Sequence, residues 1–227
     1  MKLSNKILIG FFGIAFLYLT AVFAEVRLRG TPYILDNANS IPETVDITGV
    51  IHIVLQDMDK NITVIGSDQP RLEVRSFSGD LLQRLKYKIS GDTLYLSQLK
   101  SEDIKSIKIS VFVPKTALKG ITVNAAVAIV EGFEQELLYL SQDAGRIWMS
   151  DNKIGTIRTE ASGKSFLNIS DSEVDTLSAK IDNSEVLIGS PVRFLKGSMK
   201  NNASLQMSDI DEIQFKKDES SRLIMYQ

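Results

Sequence analysis

Apolar and polar residues alternate along much of the chain from residue 45 onward. In the first run, Val45, Ile51 and Leu55 occupy odd positions, while polar residues such as Asp46 and His52 occupy even ones. A period of two predicts a half-buried strand over 45–55. The same pattern predicts further strands over residues 62–65, 71–75, 84–89, 94–96 and 107–113, and residues 80–85 have the composition of a single helical turn.

From Leu118 the pattern becomes a repeat of about 20 residues. Six similar segments are separated by steps of 17, 19, 20, 18 and 18 residues, and they begin at Ile121, Leu138, Ile157, Leu177, Leu195 and Ile213. Ten residues after the last five starts a second apolar position recurs, at Trp148, Leu167, Leu187, Leu205 and Leu223. Polar turns rich in Gly, Asn, Asp and Ser lie between the two positions.

Two short strands and two turns cannot bury an apolar face alone, so such repeats must stack on one another. We therefore expect an all-β fold, a right-handed parallel β-solenoid preceded by an N-terminal hydrophobic helix. An antiparallel meander is the alternative, although it needs neither constant repeat length nor matched apolar positions. The expected organisation is a leader at 1–24, a linker at 25–43, a strand region at 44–117 and regular coils at 118–227.

The chain begins with an apolar segment preceded by Lys2 and Lys6. Residues 7–24 carry no charge, and as a helix they would span roughly 27 Å, close to the thickness of a bilayer core. Small residues before Glu25 also suit cleavage after Ala24. We expect an exported protein, either anchored in the membrane through residues 7–24 and facing the periplasm, or periplasmic or secreted if cleaved.

Composition narrows the possible chemistry. The 227 residues have a net charge of −2, which provides no basic surface for nucleic acid. The chain has no cysteine, so disulfides, thiol catalysis and cysteine-based metal sites are excluded.

Two longer segments resemble a known family. They are ITGVIHIVLQDMDKNITVIGSDQPRLEV (47–74) and IKISVFVPKTALKGITVNAAVAIVEGF (107–133), between the hydrophobic N-terminus and the polar β-repeats. This combination resembles the bacterial "putative auto-transporter adhesin, head GIN domain" family of Bacteroidetes envelopes, over roughly 45–226. The resemblance implies a β-helical envelope domain whose function is not established.

Candidate catalytic residues are few. His52 is the single histidine and falls on the polar side of its strand, so a surface position is expected. Gly163-Lys164-Ser165 resembles the end of a phosphate-binding loop, but the FLNI after it reads as a strand, which favours a plain turn. We expect no catalytic residue, no cofactor and no metal ligand.

Acidic turns and charge pairs leave two alternatives open. Paired acids at 57 and 59, 171 and 173, and 209 and 211 are expected to be solvated, with Ca²⁺ binding as the alternative. Stacking of coils would bring Glu160 near Lys180 and Asp182 near Lys200. Surface ion pairs are expected there, with carboxylate catalysis on a polysaccharide as the alternative.

Two further features concern modification and partners. Asp-Thr-Leu occurs twice, which makes Thr93 and Thr176 possible O-glycosylation sites. The last coil ends in the apolar Leu223, Met225 and Tyr226, and an uncovered solenoid edge favours docking of another chain or self-association.

The sequence therefore predicts a non-enzymatic envelope module that binds or adheres to an envelope partner or glycan. The alternatives are a carbohydrate-active β-helix lyase or hydrolase, and a membrane-tethered assembly or signalling protein.

Overall fold

The computed structural model describes residues 3–29, 35, 39–99 and 107–226. The chain divides into two compact units, Met1–Ile34 and Leu35–Gln227. The first contains helix α1 (Leu3–Arg29), with several aromatic and aliphatic side chains between Phe11 and Phe23 exposed. Among the described residues, no helix is both long and apolar enough to cross a membrane. Anchorage in a membrane through residues 7–24 stays a prediction.

The second unit is built of strands that form two sheets. The strands before the regular coils are β1 (Ile41–Asp46), β2 (His52–Gln56), β3 (Asn61–Gly66), β4 (Arg71–Ser76), β5 (Leu85–Ser90), β6 (Thr93–Leu99) and β7 (Ile107–Val113). A 3₁₀ helix at Leu82–Arg84 matches the predicted helical turn. The predicted linker at 25–43 lies partly outside the described residues, and its last three residues belong to β1.

The predicted strand over 45–55 is wrong. It is two strands in different sheets, separated by a turn at Gly49, whose φ is +87°. Glycine adopts this backbone conformation without strain, so the gap in the alternation at this position marks the turn. β1 pairs antiparallel with β4, whereas β2 lies parallel to β6 and β8.

The regular coils follow. Their strands are β8 (Gly120–Asn124), β9 (Val127–Glu131), β10 (Glu134–Asp143), β11 (Arg146–Ser150), β12 (Lys153–Ser162), β13 (Phe166–Ile169), β14 (Glu173–Asp182), β15 (Glu185–Ile188), β16 (Val192–Lys200), β17 (Ser204–Met207), β18 (Ile210–Lys217) and β19 (Arg222–Met225). The even-numbered strands form one sheet and the odd-numbered strands the other, and all pair in parallel. The predicted parallel β-solenoid is confirmed, and the antiparallel meander is excluded.

The two sheets differ in the length of these strands. The long-strand sheet runs in the order β18-β16-β14-β12-β10-β8-β2-β6-β5, and the short-strand sheet runs β1-β4-β7-β3-β9-β11-β13-β15-β17-β19. Apolar side chains from both inner faces form one continuous core from Ile47 to Met207. Although β6 and β7 follow β2 and β3 in sequence, they lie on the side of those strands that faces away from the regular coils.

The predicted register of the coils is correct for five starts and wrong for one. Leu138, Ile157, Leu177, Leu195 and Ile213 are directly paired from coil to coil. Ile121, however, pairs with Leu140, so the first step is 19 residues rather than 17.

The second apolar position is correct at three of its five places. Leu167, Leu205 and Leu223 are paired with core residues, but the predicted Trp148 and Leu187 point outward, and Ile147 and Val186 occupy the core instead. A shift of one residue moves a side chain to the opposite face of a strand. In these two coils the two core positions are nine residues apart rather than ten, so the predicted residues face outward.

Candidate functional site

Each long strand has one rung where regular pairing is interrupted. In the pairing of β10 with β12, Gln135 pairs with Ile154 and Leu137 pairs with Thr156, while Glu136 and Gly155 between them are skipped. The same rung is skipped in the next three pairings, at Gly155, Asp175, Arg193 and Asp211. A column of irregular backbone thus runs along the solenoid axis.

A groove follows this column across β10, β12, β14, β16 and β18, and we call it the axial groove. Its volume is about 1500 Å³. Five strands at sheet spacing give it a length of roughly 20 Å. Gly155 lies on β12, the second of these five strands, where a Cβ atom would stand 3.0 Å from the carbonyl oxygen of Glu136, so a side chain there would crowd the groove. The partly exposed aliphatic residues along it are Ile51, Leu137 and Ile210, and the buried Leu118, Val174 and Val192 lie beneath them.

Charged residues also line the groove, among them Glu136, Asp175, Arg193 and Asp211 on the interrupted rung itself. Exposed ion pairs join Lys153 to Glu173 at 3.1 Å and Arg193 to Asp175 at 2.8 Å. Exposed pairs of this kind contribute little stability, on the order of 0–1 kcal/mol. Gln135 donates from Nε2 to the carbonyl oxygen of Leu118 at 2.7 Å, but among the described residues its buried Oε1 has no hydrogen-bond partner.

A second, smaller concavity lies on the outer face of the long-strand sheet, and we call it the tyrosine dimple. It has a volume of about 610 Å³ and includes His52, Tyr95, Tyr139 and Arg158. Its base is Gly120, where a Cβ atom would stand 3.1 Å from Nδ1 of His52. The absence of a side chain at this position therefore leaves space between the histidine and Tyr139.

The rings of the dimple are held at the surface. Tyr95 and Tyr139 are each 44% exposed. Arg158 donates from Nη1 to the Tyr139 hydroxyl at 3.1 Å, and its guanidinium carbon lies 5.5 Å from the ring centroid. Tyr139 also lines the axial groove. The dimple and the groove therefore adjoin at this one residue.

His52 is half-exposed on the polar face, as predicted, and the structure adds its neighbours in the dimple. The Gly163-Lys164-Ser165 segment is a turn followed by β13, also as predicted. Gly163 and Lys164 both have φ of +67°, and the Ser165 hydroxyl is bonded within the turn to the carbonyl oxygen of Ser162.

The predicted charge pairs form between adjacent coils. Lys180 lies 2.9 Å from Glu160, and Lys200 lies 3.3 Å from Asp182, with the lysine side chains largely exposed. A hydrogen bond from the Asn201 side chain, followed by the effects of Lys200, lowers the pKa of Asp182. A lowered pKa suits a permanently ionised structural group rather than a proton donor.

The acidic turns occupy tight corners. Asp57, Asp171 and Asp209 have φ of 51°, 46° and 46°. Within the part of the chain that the structure describes, no group of three or more His, Asp or Glu side chains is placed to hold a metal ion.

Both predicted modification sites share one geometry. The hydroxyls of Thr93 and Thr176 each donate to the carboxylate of the preceding aspartate at 3.1 Å, and both threonines are half-exposed. O-glycosylation at these positions stays a prediction. At the predicted docking edge, Met225 and Tyr226 are exposed while Leu223 is partly buried against the core.

The groove and the dimple were missed in the sequence, although the groove leaves a signal there. In each of four long strands two inward apolar residues are three positions apart instead of two, at Ile154 and Ile157, Val174 and Leu177, Val192 and Leu195, and Ile210 and Ile213. A recurring spacing of three within a period-two pattern marks the interrupted rung.

No family model and no curated protein matches this sequence. Solved structures are similar in fold. A "putative adhesin" from Bacteroides fragilis NCTC 9343 has a TM-score of 0.58 at 13% identity, covering 85% of this chain and 100% of that chain. A "putative lipid binding protein" from Parabacteroides distasonis ATCC 8503 has a TM-score of 0.54 at 13% identity, with coverage of 86% and 99%.

A "putative adhesin" from Parabacteroides distasonis ATCC 8503 has a TM-score of 0.53 at 14% identity, with coverage of 82% and 94%. At these identities the similarity establishes a shared fold alone. The fold is therefore one that also occurs in Bacteroidetes proteins described as adhesins. The head GIN domain in particular is not shown.

Proposed function

We propose that this chain is a non-enzymatic binding module of the cell envelope. Its ligand is an amphiphile with a hydroxyl-rich head, of the class of glycolipids. One observation carries the proposal: an apolar groove and an aromatic, polar dimple meet at Tyr139.

The groove suits an extended apolar chain. Its length of roughly 20 Å runs along stacked coils, and partly exposed aliphatic side chains lie along it at Ile51, Leu137 and Ile210. Binding sites for small molecules are commonly apolar with a few polar groups that fix orientation. Burial of an apolar chain here would contribute roughly 25 cal/mol for each Å² removed from water.

The dimple suits the head of such a molecule. Exposed tyrosine rings offer a flat apolar surface for the face of a sugar ring, together with a hydroxyl at the edge. His52 and Arg158 add hydrogen-bonding groups around the gap at Gly120. The fold neighbours described as adhesins and as a lipid-binding protein are consistent with either half of this ligand.

Three probes test the proposal by calorimetry on the full chain: an alkyl glycoside below its micelle concentration, the matching free sugar, and a fatty acid of equal chain length. We expect the alkyl glycoside to bind at least ten-fold more tightly than either other probe. Leu137→Lys and Tyr139→Ala should each weaken binding about ten-fold or more, because one places a charge in the groove and the other removes the shared ring.

Tyr87→Ala is the matched control, because Tyr87 is an exposed ring on β5 outside both concavities. Equal binding of the free sugar would remove the groove from the proposal, and equal binding of the fatty acid would remove the dimple. Failure of all three probes to bind would overturn it.

A further inference from the structure

The C-terminal edges of both sheets lack a neighbouring strand among the described residues. β18 and β19 are the last strands of the long-strand and short-strand sheets. Inward residues at this edge are only partly buried, among them Ile213, Phe215 and Leu223, whereas Leu195, one coil earlier, is 1% exposed. An exposed edge with apolar inward residues is a template for another strand.

The charges on β18 differ from those on the preceding coils. There, ion pairs join residues of adjacent strands, such as Lys180 with Glu160 and Lys200 with Asp182. In the described part of the chain, no ion pair involves the four charged residues of β18, which are Asp211, Glu212, Lys216 and Lys217. All four are exposed.

These charges are arranged symmetrically about the centre of the strand. Residues 211–217 read Asp-Glu-Ile-Gln-Phe-Lys-Lys, with two acids before Gln214 and two bases after it at matching distances. Reversing the direction of the segment therefore places every acid opposite a base. The segment is complementary to an antiparallel copy of itself.

We propose that β18 pairs antiparallel with β18 of a second copy of this chain, centred on Gln214. Glu212 of one copy then faces Lys216 of the other, and Asp211, on the interrupted rung next to Glu212, lies nearest Lys217. Directly opposed residues in an antiparallel pair lie on the same face. The inward Ile213 and Phe215 therefore meet each other and continue the core.

The arrangement closes on itself as a two-fold dimer. A contact that uses the same patch on both copies is isologous and does not propagate into a fibre. Main-chain hydrogen bonds between the two edges would supply affinity, and the side-chain pairs would supply register. Because β19 ends the other sheet at the same coil, the contact also brings Met225 and Tyr226 towards the second copy. These two side chains are 66% and 56% exposed in the single chain.

Charge reversal tests this pairing in the full chain, with mass measured by light scattering across a dilution series. One variant carries Asp211→Lys and Glu212→Lys, and a second carries Lys216→Glu and Lys217→Glu. Each variant alone would face four like-charge contacts, so we expect its dimer dissociation constant to rise roughly 100-fold. Mixing the two variants restores all four attractive contacts, so we expect a one-to-one heterodimer.

The chain with all four substitutions is the matched control, because its two copies are again complementary and it should dimerise like the parent. Association through exposed apolar residues of α1 would persist in every variant. At protein concentrations too low for the dimer to form, unfolding temperatures should agree among the four proteins, because the substituted side chains are exposed.

A cysteine cross-link tests the register. The chain contains no cysteine, so Gln214→Cys introduces a single thiol, placed opposite itself on the proposed two-fold axis. We expect oxidation to give a disulfide-linked dimer. Lys196→Cys is the matched control, because Lys196 pairs with Gln214 one coil earlier and lies on the same outer face. It should stay monomeric on a reducing-agent-free gel.

Three results would overturn the proposal. The first is a parent chain that is monomeric at all accessible concentrations. The second is single-sign variants that dimerise as tightly as the parent. The third is assembly of the parent into open-ended oligomers, with no heterodimer when the two variants are mixed. That result would indicate that β18 pairs with β5 at the opposite end of another copy.

Discussion

The two ends of the solenoid are built differently. At the N-terminal end three strand pairs are antiparallel: β4 with β7, β1 with β4, and β5 with β6. The outermost strand β1 contains Pro42, which has no N–H to offer a further strand. At the C-terminal end, β18 and β19 pair in parallel with the preceding coil, and neither strand contains a proline.

Specific polar contacts hold the N-terminal end closed. Glu43 on β1 accepts hydrogen bonds from the backbone N–H groups of Leu81 and Leu82 at 2.8 and 3.0 Å. On β4, Glu73 is bonded to both Arg71 and Arg75, at 3.1 and 2.6 Å. The end with irregular topology is thus terminated by its own strands, and the end with regular repeats keeps an edge that fits another coil.

The largest expected difference between the ends concerns the core. Leu94 is fully buried and lies between Ile53 and Ile89, whereas Ile213 has a neighbouring strand on one side among the described residues. Leu94→Ala should lower the free energy of unfolding by about 2–5 kcal/mol. Ile213→Ala should lower it by about 1 kcal/mol, because less apolar surface is buried.

Chemical denaturation at low protein concentration measures both values. Equal losses would mean that the edge strand β18 is covered as completely as β6, which has a strand on each side. At concentrations where the proposed dimer forms, the loss for Ile213→Ala should grow while that for Leu94→Ala stays constant.

The next largest effect concerns the contact that closes the N-terminal end. Glu43→Ala leaves two partly buried N–H groups without their acceptor, which should cost about 1–3 kcal/mol. Glu43→Gln keeps an acceptor oxygen and should recover most of that loss. Hydrogen exchange of the Leu81 and Leu82 amides checks the assignment, because protection there should fall in the alanine variant alone.

Acid should weaken both ends, beginning at the N-terminal one. Burial opposes ionisation of Glu73, but Arg75 and Arg71 outweigh it and hold the pKa below its ordinary 4.5. Hydrogen bonds from Ser221, the Asn201 backbone and Ser220 lower the pKa of Asp218 to about 2. A lowered pKa means that the folded state favours the ionised group, so its contribution is complete above the ordinary value and is lost as pH falls through the lowered one.

Glu73→Gln and Asp218→Asn test this dependence. Each variant should unfold at a lower temperature than the parent at neutral pH. The deficit of Glu73→Gln should begin to shrink below about 4.5, and that of Asp218→Asn between 3.8 and about 2. A deficit that does not change with pH would show that the carboxylate charge is not what stabilises the end.

Local sequence pattern was sufficient for the coils because their pairing is between consecutive repeats. The errors arose from turn chemistry. Turns with one residue of positive φ, at Ala144 and Asn183, place the second core position of a coil nine residues after its first. Turns with two such residues, at Gly163-Lys164 and Asn201-Asn202, place it ten residues after. Backbone conformation at these residues is not visible in apolar spacing.

The closed end could not be predicted for a different reason. Its strands pair out of sequence order, and β7 meets β4 on one side and β3 on the other. Such pairing depends on contacts between distant residues rather than on a local period. The axial groove was within reach of the sequence through the recurring spacing of three, whereas the dimple depends on His52, Gly120 and Tyr139 meeting across three strands.

The smallest expected effect would strengthen the C-terminal end. Buried serine hydroxyls tie successive coils together at one corner: Gly145 N–H donates to Ser165 Oγ at 3.2 Å, and Ser165 N–H donates to Ser184 Oγ at 3.1 Å. The equivalent position in the next coil is Ala203, which is 1% exposed. The series is therefore interrupted at Ala203, and the equivalent serine of the last coil, Ser221, has a buried hydroxyl with no hydrogen-bond partner among the described residues.

Ala203→Ser should continue the series, because the introduced hydroxyl would lie where the Ser184 N–H can donate to it. A net gain of about 0.5–1.5 kcal/mol is expected for one such bond. Ala128→Ser is the matched control. Ala128 is equally buried, but its neighbours on the adjacent strands of the short-strand sheet are Ile62 and Ile147, so a hydroxyl there would lack a partner and destabilise. Thermal unfolding of both variants decides the point. If both variants are destabilised alike, the hydrogen bonds of the corner serines do not stabilise the contact between coils.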